Sequence, residues 1–262
     1  MDMFKRNLAP LSNRAWSEIE ERARLVLLSR LSARKVVSVN GPHGLDYTVL
    51  SEGRLSLVDD KSTVKAGIYN VLPLTEARVR FTLNKWELDN LERGAKDIDF
   101  DSLDKALDQL ALFEENAVYH GYAPGTIKGL KESSAHKTLE LTGDTKEFLA
   151  AIGEGVILLK DSFVDGPYSL IVSNEVWVRL HKEAQGQSLK ERVERIIGGE
   201  IVLASAIKGA ILVPHDSSDL ELTIGQDFEL GYESHDTKEV TLFATESFTF
   251  RVIEPKAIVV FK

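Results

Sequence analysis

Apolar residues at Trp16, Ile19, Ala23, Val26, Leu27 and Leu31 recur at the spacing of one helical face, with Glu18, Glu20, Glu21 and Arg24 between them. That period predicts an amphipathic helix from a Ser12 cap to about residue 33. Its apolar face needs a partner, either within the chain or on a neighbour. The pattern then shortens to strand-like runs. Residues 35–39 form one, closed by the turn signal Asn40-Gly41-Pro42-His43-Gly44. Residues 47–50, 55–58 and 64–71 follow, and they are half polar with no large apolar face. Such runs predict a protruding hairpin rather than a buried sheet. Leu74, Ala77, Val79 and Phe81 then lie among polar residues, as in a half-buried strand.

Two helices come next. Asn84 caps residues 85–93, and Gly94 supplies the stop. Ser102 caps a longer helix to about residue 119, with Leu103, Ala106, Leu107, Leu110, Phe113 and Ala117 inward and Asp104, Asp108 and Glu115 outward. Residues 121–129 form a turn-rich crossing. From about residue 130 the pattern is mixed. Helices are expected over 146–160, from an Asn174 cap through Leu180, and over 189–197 before Gly198-Gly199. Strands are expected at 168–173, 201–205 and 210–213. The remainder is strand-rich, at 220–224, 228–232, 239–244, 247–252 and 257–261. These closing strands are expected to rejoin the early ones in a single sheet. There is no internal repeat and no long linker.

The 262 residues fit one large domain or two small ones. The chain has no cysteine, which excludes disulfides and thiolate metal sites. A net charge of −9, with no basic run beyond Lys5-Arg6, argues against a nucleic-acid partner. No apolar stretch suits a signal peptide or a bilayer span, so the expectation is a cytoplasmic protein with no membrane partner.

Enzyme motifs do not emerge. There is no phosphate-binding glycine loop and no Gly-x-Ser-x-Gly elbow. The six histidines show no metal-ligand spacing. His215-Asp216 and His235-Asp236 are adjacent pairs; neighbouring side chains point apart, so solvated turns are expected ahead of a proton relay. Asp89 with Glu92, and Asp104 with Asp108, lie about one helical turn apart, a spacing that holds metals in bundles. No Glu-x-x-His accompanies them, which favours surface charge and a protein that is not an enzyme.

Several segments carry a resemblance. Phe4-Lys5-Arg6-Asn7-Leu8-Ala9-Pro10-Leu11 with Trp16 opens the series, and Arg34-Lys35-Val36-Val37-Ser38-Val39 with Gly41-Pro42 continues it. The most specific stretch is Phe81-Thr82-Leu83 with Trp86-Glu87-Leu88-Asp89-Asn90-Leu91-Glu92-Arg93-Gly94. Asp165-Gly166-Pro167-Tyr168, Gly225-Gln226-Asp227, Gly231-Tyr232 and Phe243 through Phe248-Thr249-Phe250 complete it. In this order and over nearly the whole chain, the segments resemble family 1 encapsulin shell proteins, once grouped as linocin-type bacteriocins.

That resemblance implies an α+β, Hong Kong 97-type phage capsid fold. It divides into an N-terminal arm and helix (1–44), an extended loop (45–80), a peripheral domain (81–130 and 213–262) and an axial domain (131–212). It implies a self-assembling shell subunit, roughly sixty copies to a closed icosahedral particle. The particle encloses a cargo enzyme, a ferritin-like iron-storage protein or a dye-decolorizing peroxidase, held by its targeting peptide. The competing reading is the major capsid protein of a tailed phage or prophage.

Three sites follow from the resemblance. A cargo-peptide groove takes Leu27, Leu31, Arg34, Val36 and Val39 on one side and Leu230 and Gly231 on the other. There Arg34 meets an acidic or carbonyl group of the peptide, and Gly231 leaves room for its backbone. Ser38 stands where an acidic residue would suit a basic cargo tail. Under this reading Leu230→Asp spares assembly and abolishes loading. A five-fold pore takes Ala184, Gln185, Gly186, Gln187, Ser188 and Leu189, giving a neutral polar rim. Finally, Trp86 stacks a flavin whose phosphate meets Arg78, or else Trp86 packs at a subunit contact. No other cofactor and no metal are expected.

Overall fold

The computed structural model describes residues 3–58, 63–141, 143–182 and 188–262. Helix α1 (Asn13–Arg30) begins at Ser12, whose Oγ accepts the Ala15 N–H at 3.0 Å. It ends at Arg30 rather than near residue 33. The Ala33 N–H donates to Glu115 Oε1 at 2.8 Å instead of continuing the helix, and a 3-10 turn, Ala33–Lys35, takes over. The strands β1 (Val37–Asn40), β2 (Val49–Val58), β3 (Ala66–Pro73) and β4 (Thr75–Asn84) follow, then helices α2 (Lys85–Glu92), α3 (Asp101–His120) and the short α4 (Leu130–Ser133). Next are α5 (Thr145–Asp161), β5 (Tyr168–Val172), α6 (Asn174–Lys182), α7 (Leu189–Ile197), β6 (Ile201–Leu203) and β7 (Ala210–Pro214). The series closes with β8 (Ser217–Ile224), β9 (Glu229–His235), β10 (Glu239–Val252) and β11 (Val259–Phe261).

Three sheets organise these elements. A five-stranded sheet runs β1-β8-β10-β4, with β9 also on β10. A four-stranded sheet runs β11-β7-β5-β6, and β2 pairs with β3 alone. Strand β10 is the spine of the first sheet: β4 lies along one side, while β9 and then β8 share the other. The expected break in β10 near residue 245 does not occur. Thr245 Oγ1 donates to the Ala77 carbonyl at 2.8 Å, and Glu246 is engaged by Arg34, so both polar residues stay in the strand. The expected single closing sheet forms for β8, β9 and β10. It fails for β11, which pairs antiparallel with β7 in the other sheet.

Other differences are local. The runs at 47–50 and 55–58 are one strand, kinked by a bulge between Ser51 and Leu55 at Gly53, whose φ is +66°. Ser102 does not cap α3; Asp99 Oδ1 accepts the Asp101 N–H at 2.9 Å, and Ser102 donates to the Thr82 carbonyl. Ser173 rather than Asn174 precedes α6, its carbonyl accepting from Trp177 N–H at 2.9 Å. Glu115, expected outward, is buried.

Three apolar cores result. One lies beneath the five-stranded sheet against the end of α3 and reaches the inner strands of the other sheet. A second fills the space between α5, α6, α7 and the four-stranded sheet. The third joins α1 and the first half of α3 to β4, β9 and β10. The β2–β3 hairpin has no core: Leu57 is 76% exposed and Ile68 66%.

Candidate functional site

The inner edge of α1 and the chain entering β9 leave a groove of about 360 Å³ between them. Helical spacing sets one wall, with Ala23, Leu27, Leu28 and Leu31 on successive turns. Phe228 and Leu230 form the facing wall. The two walls are apolar and the rim is charged.

One end of the groove is tied by Arg6, which pairs with both Glu20 and Glu229, the latter at 3.0 Å. Arg34 ties the other end. Its Nε donates to Glu114 Oε1 at 2.9 Å, one terminal nitrogen meets Asp227 Oδ1 at 2.8 Å, and the other comes within 3.4 Å of Glu246. The guanidinium also lies 4.8 Å from the Phe228 ring centre. Glu114 and Glu246 are fully buried, and Glu246 Oε1 has no hydrogen-bond partner. Burial opposes the charge of Arg34, but the hydrogen bond and charge of Glu114, with those of Asp227, outweigh it and raise its pKa. Burial, then the neighbouring Glu114 charge, pushes Glu246 well above the usual carboxylate range. Two buried carboxyls therefore face one guanidinium. Behind them Glu115 accepts from Ser32 and Ala33, and burial lifts it to about 7 despite those bonds. Tyr119 closes this polar nest, its hydroxyl 2.8 Å from Ser32 Oγ.

The structure places the sequence-predicted groove residues unevenly. Leu27, Leu31, Arg34 and Leu230 line the groove. Val36 is fully buried in the core under the five-stranded sheet, and Val39 is exposed on β1 outside the groove. Gly231 leaves its space to the Phe243 ring, which a Cβ would strike, rather than to a passing peptide. Arg34 is already held by three carboxylates and is not free to meet a ligand. Leu230 is 6% exposed and packs with Val240, Leu242 and Ala244, so Leu230→Asp would strike the core as well as the groove. Sequence reasoning missed Leu28 and Phe228. The Glu20-Arg24-Leu28 spacing (i, i+4, i+8) was the available signal for the first.

Of the expected pore, Ala184, Gln185, Gly186 and Gln187 lie outside the described residues. Ser188 caps α7, accepting the Glu191 N–H at 3.2 Å, and Leu189 is buried in the second core rather than on a rim.

Trp86 is 67% exposed at the start of α2, with the Arg93 guanidinium 5.7 Å from its ring centre. Arg78 lies back along β4, over the Phe243 ring at 4.4 Å and paired with Glu76 at 3.0 Å. From Arg78 to Asn84 the strand runs about 20 Å at its normal rise.

The histidine pairs form no relay. His215 Nδ1 lies 2.8 Å from Ser169 Oγ and 4.0 Å from Glu200, so both groups sit on the same ring nitrogen, whereas a relay needs both nitrogens. His235 Nδ1 meets the Tyr232 hydroxyl at 2.7 Å, while Asp236 accepts the N–H groups of Lys238 and Glu239. Among the described residues no three His, Asp or Glu side chains gather as a metal site, and no helix is long and apolar enough to cross a membrane.

A helical arm, an unsupported hairpin, a spine-stranded sheet and an α/β insert define a capsid-type fold. The solved structures agree in fold: a virus-like particle from Pyrococcus furiosus has a TM-score of 0.66 at 19% identity, over 92% of this chain and 98% of that one. The capsid of an empty GTA particle has a TM-score of 0.57 at 15% identity, over 88% and 89%. The family described as "encapsulating protein for peroxidase" matches residues 1–249. A type 1 encapsulin shell protein of Rhodospirillum rubrum is 38% identical over 99% of this chain and 96% of its own length. The chain belongs to the encapsulin shell protein family.

Proposed function

We propose that the chain closes into an icosahedral shell of roughly sixty copies and encloses a cargo enzyme through a peptide docked in the groove beside α1. The groove carries this reading. It is open and apolar along two walls, charged only at its rim, and shaped for an extended segment with spaced aliphatic side chains. The exposed β2–β3 hairpin supports the shell, since a two-stranded ribbon with bare apolar residues is marginal until a neighbour covers it. The family description names a peroxidase as what is encapsulated, and a peroxidase or a ferritin-like protein is the cargo class of this reading. No residue is assigned to catalysis.

The test uses a fluorescent protein bearing a short appended peptide with alternate leucines, co-produced with the shell protein. Electron microscopy should show closed particles that carry the fluorescent protein. Leu28→Asp, at a site 56% exposed on the groove edge, should leave the particles and remove the fluorescence. Finding only monomers or dimers across salt and pH, or undiminished loading in the variant, would overturn the reading.

A further inference from the structure

The rim of the groove is unequal in its charges. Three carboxylates border it, Glu20, Asp227 and Glu229, and each is already paired: Glu20 and Glu229 with Arg6, Asp227 with Arg34. One cation on the same rim is different. Arg24 lines the groove, is exposed, and takes part in no hydrogen bond or ion pair among the described residues. It stands on α1 one turn after Glu20 and one turn before Leu28, beside the apolar wall rather than inside it. A basic segment entering the groove would have to displace Arg6 or Arg34 from partners they already hold. An acidic one finds a free guanidinium whose planar fork matches a carboxylate.

From this, and resting on the groove reading above, we infer that the docked segment carries a carboxylate, either Asp, Glu or its own C-terminus, next to its aliphatic side chains, and that Arg24 is its partner. The aliphatic side chains supply most of the affinity. The carboxylate fixes the direction in which the segment lies and selects among segments that share the same apolar pattern. The role first assigned to Arg34, meeting the acid of the peptide, thus passes to Arg24, ten residues earlier on α1, because Arg34 is consumed by Glu114, Asp227 and Glu246.

The experiment measures fluorescence anisotropy of labelled peptides on the full-length protein. The peptides share alternate leucines in a Gly/Ser chain and differ only in one flanking residue: Asp, Asn or Lys. Wild type should bind the Asp peptide about three-fold more tightly than the Asn peptide, the Lys peptide being weakest, with the difference fading at high salt. Arg24→Gln should bind all three alike, and Arg24→Glu should reverse the order. Equal binding of the three peptides to wild type, or a preference that survives Arg24→Gln, would sink the inference while leaving the groove standing. Binding that ignores Leu28→Asp, or no binding of any peptide, would instead sink the groove reading. If Leu28→Asp abolished particles, the groove would be a contact between subunits, and both readings would fall.

Discussion

At the scale of single residues, the unusual feature is the set of acids around Arg34. Glu114, Glu246 and Asp227 converge on one guanidinium, with Glu115 and Tyr119 behind them. An acid whose folded pKa lies above its unfolded one binds its proton more tightly when folded, so stability falls as pH rises from the unfolded value towards the folded one. Glu115 contributes this loss between about 4.5 and about 7, worth about 3 kcal/mol in all. Glu246 extends it upward, because burial and Glu114 hold its pKa well above normal. Replacing it by an amide of the same shape removes the ionisation and keeps the volume. Thermal melting of Glu246→Gln should therefore track wild type below about pH 4.5, where the carboxyl is protonated in both states. It should exceed wild type by a margin that widens as pH rises from there, for as long as burial holds the proton on Glu246. Curves that stay parallel throughout would show that Glu246 ionises freely.

At the scale of elements, the junction of β1 with the hairpin depends on one glycine. Gly41 has φ +130°, and a Cβ there would collide with the Ile224 carbonyl oxygen at the end of β8. The same carbonyl receives the His43 N–H at 3.1 Å. Gly41→Ala should cost about 2 kcal/mol, seen as a lower melting temperature; an unchanged melting point would mean that the turn re-forms around the methyl group. This turn was legible in sequence, as were α1, α2 and α7, because caps and stops are local signals. Glu115 was not. Helical periodicity puts a carboxylate on the outer face by default, and only Ser32 and Ala33, far back in the chain, supply the partners that let it be buried. Continuity of β10 escaped for a similar reason, since Thr245 and Glu246 look like a break until their partners on β4 and at Arg34 are known. In the groove, Leu27 and Leu31 were legible from spacing. The commitments of Arg34 and the contact between Gly231 and Phe243 were not, because each joins elements whose order in space the pattern does not state.

At the scale of the whole molecule, the hairpin is the part that one subunit cannot complete. Leu57 and Ile68 are already in water, so a charge at either should leave the isolated fold intact while spoiling any surface that covers them. The double variant Leu57→Asp/Ile68→Asp should melt like wild type as a subunit yet give no closed particles by light scattering. Particles in normal yield would mean that the hairpin is not a contact. The sheets impose a different order in time. The first sheet strand, β1, pairs with β8, and the edge strand of the other sheet is β11, the last strand of all. A ribosome must therefore deliver nearly the entire chain before either sheet can close. Closure of both sheets is thus a late, long-range event, and the subunit is expected to gain its full fold slowly, at the end of its own synthesis.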